Sequence, residues 1–170
     1  MYWILPPKGT AMKNRRKRKY FEREEGAPSP VSASITHRCQ FSETDMLSIV
    51  WYGRYAAFFE EASAELGRKI GLSYEAMRDA GVIAPIAQLH IDYHSPLALS
   101  EICTVTASII WTEASRLNIE YSIDKEDGIL ASSGYTVQMF INTETNEVCL
   151  LPPPLFIDCC DKWKNGLFHG

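Results

Sequence analysis

ETDMLSIVWYGRYAAFFEEA, residues 43–62, decides how this chain folds. It opens with a short acidic turn around Asp45, passes through the apolar Ile49, Val50 and Trp51, and then changes period. Tyr55, Phe58, Phe59, Ala62, Leu66 and Ile70 recur at three-and-four spacing, which puts them on one face of a helix. No proline interrupts the run, and Gly71 followed by Leu72 supplies a left-handed stop. One carboxylate, Asp45, therefore precedes a long apolar helix, whose positive end favours the ionised form. From the residues alone Asp45 has two readings: it satisfies backbone N–H groups of its turn, or it does chemistry.

Outward from this stretch the pattern alternates. Before it, Ile35, His37, Cys39 and Phe41 alternate with Ser34, Thr36, Arg38 and Gln40, so residues 32–41 read as a strand. After it, Ser73 caps a short second helix, with Glu75 in the first turn and Gly81 ending it. From Val82 onward the period is two. Ala87, Leu89, Ile91 and Tyr93 share one strand face; Cys103, Val105, Ala107, Ile109 and Trp111 share another; Leu117, Ile119, Tyr121 and Ile123 a third. A long last strand presents Ile129, Ala131, Ser133, Tyr135, Val137, Met139 and Ile141. The connections at 94–99, 112–115 and 125–128 are short and turn-like, which favours antiparallel neighbours. Residues 142–147 form a hairpin-like turn, and Pro154 starts a short terminal helix over residues 155–163. The class is α+β: about five antiparallel strands whose apolar faces must be covered by the one long central helix.

With 170 residues the chain is one domain, large enough for a real core. Its net charge of −4 is divided unevenly. Residues 1–30 hold 8 Lys/Arg against 3 Asp/Glu (+5), and residues 31–170 hold 9 against 18 (−9). The expected organisation is a disordered basic tail and linker over 1–30, with KNRRKRK at 13–19, and one domain over 31–170. An acidic body argues against a nucleic-acid partner. No segment approaches a membrane span, and the initial MYWIL is too short for a signal core, so a cytoplasmic protein is expected. Five cysteines, an odd number without a CxxC pair, argue against a disulfide framework.

Other chemistry is thin. His90, Asp92 and His94 share one side of a strand and could ligate a metal, but the alternation of Leu89, Ile91 and Tyr93 already explains their placement, so no metal is expected. Glu60 and Glu61 are adjacent on the helix and face different ways. There is no Gly-x-Ser-x-Gly elbow, Gly-rich phosphate loop or dinucleotide fingerprint.

The stretch around Asp45 is similar to the active-site signature of hotdog-fold acyl-CoA thioesterases of the 4-hydroxybenzoyl-CoA thioesterase family. There an Asp is followed by four variable residues, a Val and an aromatic-rich run into the central helix. Asp45, Val50, Tyr55, Phe59 and Glu60 fall on those positions, and the likeness runs from about residue 32 to about residue 151. The resemblance implies the hotdog fold and hydrolysis of an acyl-CoA without a cofactor. It implies Asp45 as nucleophile or general base and the Tyr52 backbone N–H as the group polarising the thioester carbonyl. Glu60 is a second carboxylate, polarising water or holding the helix, and Val50, Trp51, Tyr55 and Phe59 would contact substrate. A homodimer or homotetramer with sites at the interface is implied too. Dehydratase-type relatives have a His near the helix start; this chain has Tyr52 and Gly53. The family often has Gly three residues after the Asp, where this chain has Ser48, which puts the turn geometry in question. A non-catalytic acyl-CoA or acyl-carrier binding module on the same fold is the alternative.

Overall fold

The structure is a computed structural model and describes residues 19–168; the expectations for residues 1–18 lie outside them. Strand β1 (Val31–Arg38) leads through two short turns of 3-10 helix, at Phe41–Glu43 and Tyr52–Arg54, into helix α1 (Tyr55–Ile70). Helix α2 (Tyr74–Asp79) and strands β2 (Val82–Ile83), β3 (Ile86–Tyr93), β4 (Ile102–Ile110), β5 (Arg116–Lys125), β6 (Leu130–Met139) and β7 (Ile141–Asn142) follow. Helix α3 (Pro154–Lys164) comes last.

The five long strands form one antiparallel sheet in the order β1-β4-β5-β6-β3, and β2 pairs separately with β7. The six apolar positions of α1 are all buried, and Gly71 ends the helix at φ +77°. Ser73 caps α2 by accepting from the Ala76 N–H. Cys103, Val105, Ala107 and Ile109 of β4 and Leu117, Ile119, Tyr121 and Ile123 of β5 are buried. Phe59 of α1 stacks on Tyr121, with ring centroids 4.3 Å apart and planes 6° apart. Burying side chains of this size contributes roughly 1.5–3 kcal/mol each, so α1 and the sheet stabilise one another.

Strand β6 departs from its expected face. Ile123 pairs with Ser132 and Asp124 with Leu130, so Ala131 is an extra residue and the alternation slips by one. Gly134 and Thr136 therefore face α1, where any Cβ on Gly134 would collide with the Phe59 ring and the His90 carbonyl. Thr136 instead bonds the buried Tyr121 hydroxyl at 3.0 Å. Ser133 and Tyr135 point to the outer face.

That outer face is covered in part by a stretch the sequence reading places in the tail. The Tyr20 and Phe21 N–H groups donate to Glu120, and Arg23 pairs with the same carboxylate at 2.8 Å. The Tyr20 hydroxyl donates to Asp92, and both aromatic rings pack against Tyr135. Residues 19–30 are thus held to the body, by single anchors that carry no periodicity. At the far end, Trp163 of α3 meets Trp111 edge-on at 5.3 Å and donates its indole N–H to the Ser29 carbonyl at 2.7 Å.

Candidate active site

Residues 44–50 form a small hairpin ahead of α1. Thr44 bridges Val50, the Asp45 N–H donates to the Ile49 carbonyl, and the Ser48 N–H returns to the Asp45 carbonyl. Ser48 has φ +59°. A tight turn followed by a left-handed residue is the bulged hairpin that glycine favours. The serine at this position takes the left-handed backbone that glycine favours, and the questioned turn is formed. The hairpin is tethered on its far side, where the Val50 N–H donates to the Leu97 carbonyl and the Leu99 N–H to that of Ser48.

Asp45 is exposed at this turn, and one of its oxygens accepts from the Leu47 N–H at 2.8 Å. The turn-satisfying reading is thus real at one oxygen. Tyr52 begins the 3-10 turn that runs into α1. The Trp51 N–H is taken by Glu43 and the Arg54 N–H by Trp51, while no backbone acceptor among the described residues takes that of Tyr52.

A cleft of about 320 Å³ joins these elements, lined by Asp45, Ile49, Val50, Tyr52, Tyr55, Tyr93, His94, Ser95 and Pro96. Burial pushes the Tyr55 phenol up to about 12, with a hydrogen bond to the Leu97 backbone pulling the other way. Desolvation also raises Tyr93, whose hydroxyl donates to the Tyr52 carbonyl. His94 shares a 2.8 Å hydrogen bond with Ser133.

Of the residues singled out from the sequence, Asp45, Val50, Tyr52 and Tyr55 come together here. Trp51 does not line the cleft; its indole lies on Gly53, where any Cβ would collide with it. Phe59 and Glu60 line a second cavity of about 450 Å³, with Ala56, Ser63, Tyr74, Leu89 and Tyr121 among its other walls. The two hollows follow one seam between α1 and β3. Tyr55 and Tyr93 border the first, and Phe59 and Leu89 the second, one helical turn further on.

Tyr93 and Ser95 went unrecognised as site residues, and His94 was weighed only as a metal ligand. Their signal was positional: Tyr93 ends the apolar face of β3, and the next residues turn back toward the Asp45 hairpin. The His90–Asp92–His94 group is used otherwise. His90 pairs with Asp92 at 3.1 Å and stacks on Tyr135, and Asp92 also accepts from Tyr20. Among the described residues no His, Cys, Asp and Glu group is arranged to hold a metal ion, and no helix is long and apolar enough to cross a membrane.

Comparison with known proteins bears on the family and the fold. The family model of the thioesterase-like superfamily matches residues 39–156, from the end of β1 into α3. The chain belongs to this superfamily. A 1,4-dihydroxy-2-naphthoyl-CoA hydrolase of Thermosynechococcus vestitus is 23% identical over 129 residues, 75% of this chain and 88% of the relative. YneP of Bacillus subtilis, provisionally named an acyl-CoA thioesterase, is 30% identical over 66 residues, 39% of this chain and 48% of the relative. The matched stretch spans about half the length of YneP, and likewise 51% of a Synechocystis protein provisionally named an esterase. Among solved structures, a DHNA-CoA thioesterase from Staphylococcus aureus superposes with a TM-score of 0.70 at 25% identity, covering 82% of this chain and 95% of that one. The fold is the hotdog fold, with the five-stranded sheet wrapped against α1.

Proposed function

We propose that the chain hydrolyses acyl-CoA thioesters to a free acid and CoA, with the cleft at Asp45 as its active site. The observation that carries this reading is the meeting, in one cleft, of a carboxylate and a helix start whose Tyr52 N–H has no backbone acceptor among the described residues. A thioester carbonyl placed between them is attacked from one side while its oxygen is stabilised from the other. Asp45 attacks the carbonyl carbon, the oxyanion is held by the Tyr52 N–H, and the C–S bond breaks to release CoA thiolate, which is protonated by water. Water then opens the mixed anhydride, giving the acid and restoring Asp45. If Asp45 works instead as a general base, the same geometry activates a water for direct attack.

Val50 and Tyr55 wall the reacting end, with Trp51 shielding the 3-10 turn behind it. The second cavity takes the far end of the acyl group against Phe59, with Glu60 at its margin. The names of the hydrolase and thioesterase relatives support an acyl-CoA substrate. Assembly is part of the reading. Strand β3 closes one end of the sheet and exposes Ile86, Leu89 and Tyr93 beside both hollows. An edge left unpaired among the described residues, and partly apolar, calls for a partner, and a second copy pairing there gives a homodimer, or a homotetramer of two such pairs, with sites at the interface.

A non-catalytic acyl-CoA or acyl-carrier binding module is the second reading, favoured by the Leu47 N–H already bound to Asp45. Release of free thiol from a panel of aliphatic and aromatic acyl-CoAs separates the two. Hydrolysis predicts turnover on at least one; tight binding with no thiol released on any would favour the module.

A further inference from the structure

We propose that Glu43 is a positioning residue for the Asp45 site, fixing Asp45 relative to the Tyr52 N–H; this rests on the hydrolytic reading above. Asp45 lies on the first arm of the hairpin and Tyr52 just beyond the second, and Glu43 stands at its open end. Its carbonyl accepts from the Trp51 N–H at 2.9 Å, one residue before Tyr52, and Asp45 follows two residues after it on the other arm. Its carboxylate faces away from the cleft and is held by β1 and the turn beyond it. It accepts from the Gln40 N–H at 2.8 Å and lies 2.9 Å from His37 Nε2.

The His37 ring packs against Phe58 of α1, with centroids 4.3 Å apart. One residue therefore joins both arms of the hairpin to the first strand, its carbonyl holding the Trp51 arm and its side chain reaching His37 and, through it, the central helix. Only 14% of the Glu43 side chain is exposed, and 11% of that of His37. A carboxylate this sheltered, two residues from the reacting one, would be costly unless its contacts were made. Glu43 does not line the cleft, so its influence passes through the backbone of residues 45 and 51.

The test is steady-state hydrolysis by Glu43→Ala and Glu43→Gln, paired with backbone amide exchange at Asp45 and Trp51 in the ligand-free protein. Glutamine keeps an oxygen for the Gln40 N–H and a polar group for His37; alanine keeps neither. Misplacing a reacting group by about 1 Å costs on the order of 100-fold. Glu43→Ala should therefore lower kcat by ~10- to 100-fold with KM changed less than about twofold, and Glu43→Gln should restore most of it. Exchange at Trp51 should quicken in the alanine variant only. An unchanged kcat in Glu43→Ala, with an active parent, overturns the proposal and leaves the hydrolytic reading standing. Equal losses in both variants also overturn it, because charge rather than placement would then be the cause. Unaltered exchange at Trp51 overturns it whatever the activity, and a parent without turnover removes both readings.

Discussion

The Tyr93 hydroxyl donates a 3.0 Å hydrogen bond to the carbonyl oxygen of Tyr52, so the edge strand of the sheet holds the turn that starts the central helix. The Tyr93 ring also meets Tyr55 edge-on at 5.0 Å. Tyr93→Phe keeps the ring contact and removes only the bond. Because the pair is exposed, the stability cost should stay near the low end for a hydrogen bond, about 0.5 kcal/mol. The cost to kcat should be larger, about threefold to tenfold, because a small displacement of the helix start moves the proposed oxyanion donor, the Tyr52 N–H. Steady-state kinetics beside urea unfolding measures both. A stability loss without a kinetic one would make Tyr93 a purely structural residue.

Asp45→Asn preserves shape and one acceptor oxygen while removing the charge and the nucleophile. If Asp45 carries the chemistry, kcat falls at least ~100-fold, the low end of a general-base contribution, and KM moves little. Glu60→Gln, one hollow further along the seam, should cost less in kcat. The reverse ranking, with Asp45→Asn active and Glu60→Gln dead, would move the catalytic carboxylate onto the helix.

Ser48 occupies a left-handed backbone position at φ +59°. A side chain there costs about 1–2 kcal/mol, against about 0.4–1 kcal/mol for the extra freedom glycine gives the unfolded chain. Ser48→Gly should therefore raise stability by about 0.5–1 kcal/mol in denaturant titration, and Ser48→Val should lower it. A loss of stability with glycine would mean that the serine has a favourable contact outweighing the strain.

Stability should fall in alkaline solution. Burial pushes the Tyr55 phenol up to about 12 and raises Tyr121 and Tyr93 as well. The folded state therefore disfavours phenolates that the unfolded chain forms near pH 10. This stabilising contribution is complete below pH 10 and disappears as pH rises toward 12. Tm should be flat with respect to these groups up to about pH 9 and drop above it, and the drop should shrink in Tyr55→Phe. A Tm unchanged between pH 9 and 11 would mean that these rings ionise freely in the folded protein.

Much of this was readable in advance, for identifiable reasons. The period of Tyr55, Phe58, Phe59, Ala62, Leu66 and Ile70 is a direct imprint of one buried face, and the left-handed stop at Gly71 is local backbone chemistry. Strands β4 and β5 alternate cleanly because one side packs on α1. Strand β6 was harder. Tyr135 and Val137 look like core-facing residues, but Ala131 shifts the register and the outer face carries its own cover of Tyr20 and Phe21. An apolar pattern reports burial, not the side on which burial occurs.

The site was legible on one side only. Asp45, Val50, Tyr52 and Tyr55 lie within eleven residues of sequence and were found together. Tyr93 and His94 reach the same cleft from a distant strand, through a fold that no local pattern records. Glu60 was kept as a second carboxylate on the family resemblance alone, and it opens onto the neighbouring hollow. From Tyr55 to Glu60 the helix advances about 7.5 Å, enough to leave one hollow and enter the next.

The bond from the Trp163 indole to the Ser29 carbonyl spans 134 positions of sequence. It brings the segment before β1 beside the last helix, as the termini of compact domains often are. The order in which the elements are strung is therefore separable from the shape they make. A linker after α3 would lead back to the segment before β1, and the chain would be opened instead at the exposed turn of residues 143–146. Such a circular permutant would carry the Asp45 hairpin and α1 in the interior of the chain, with its new ends beside β7 and far in sequence from both.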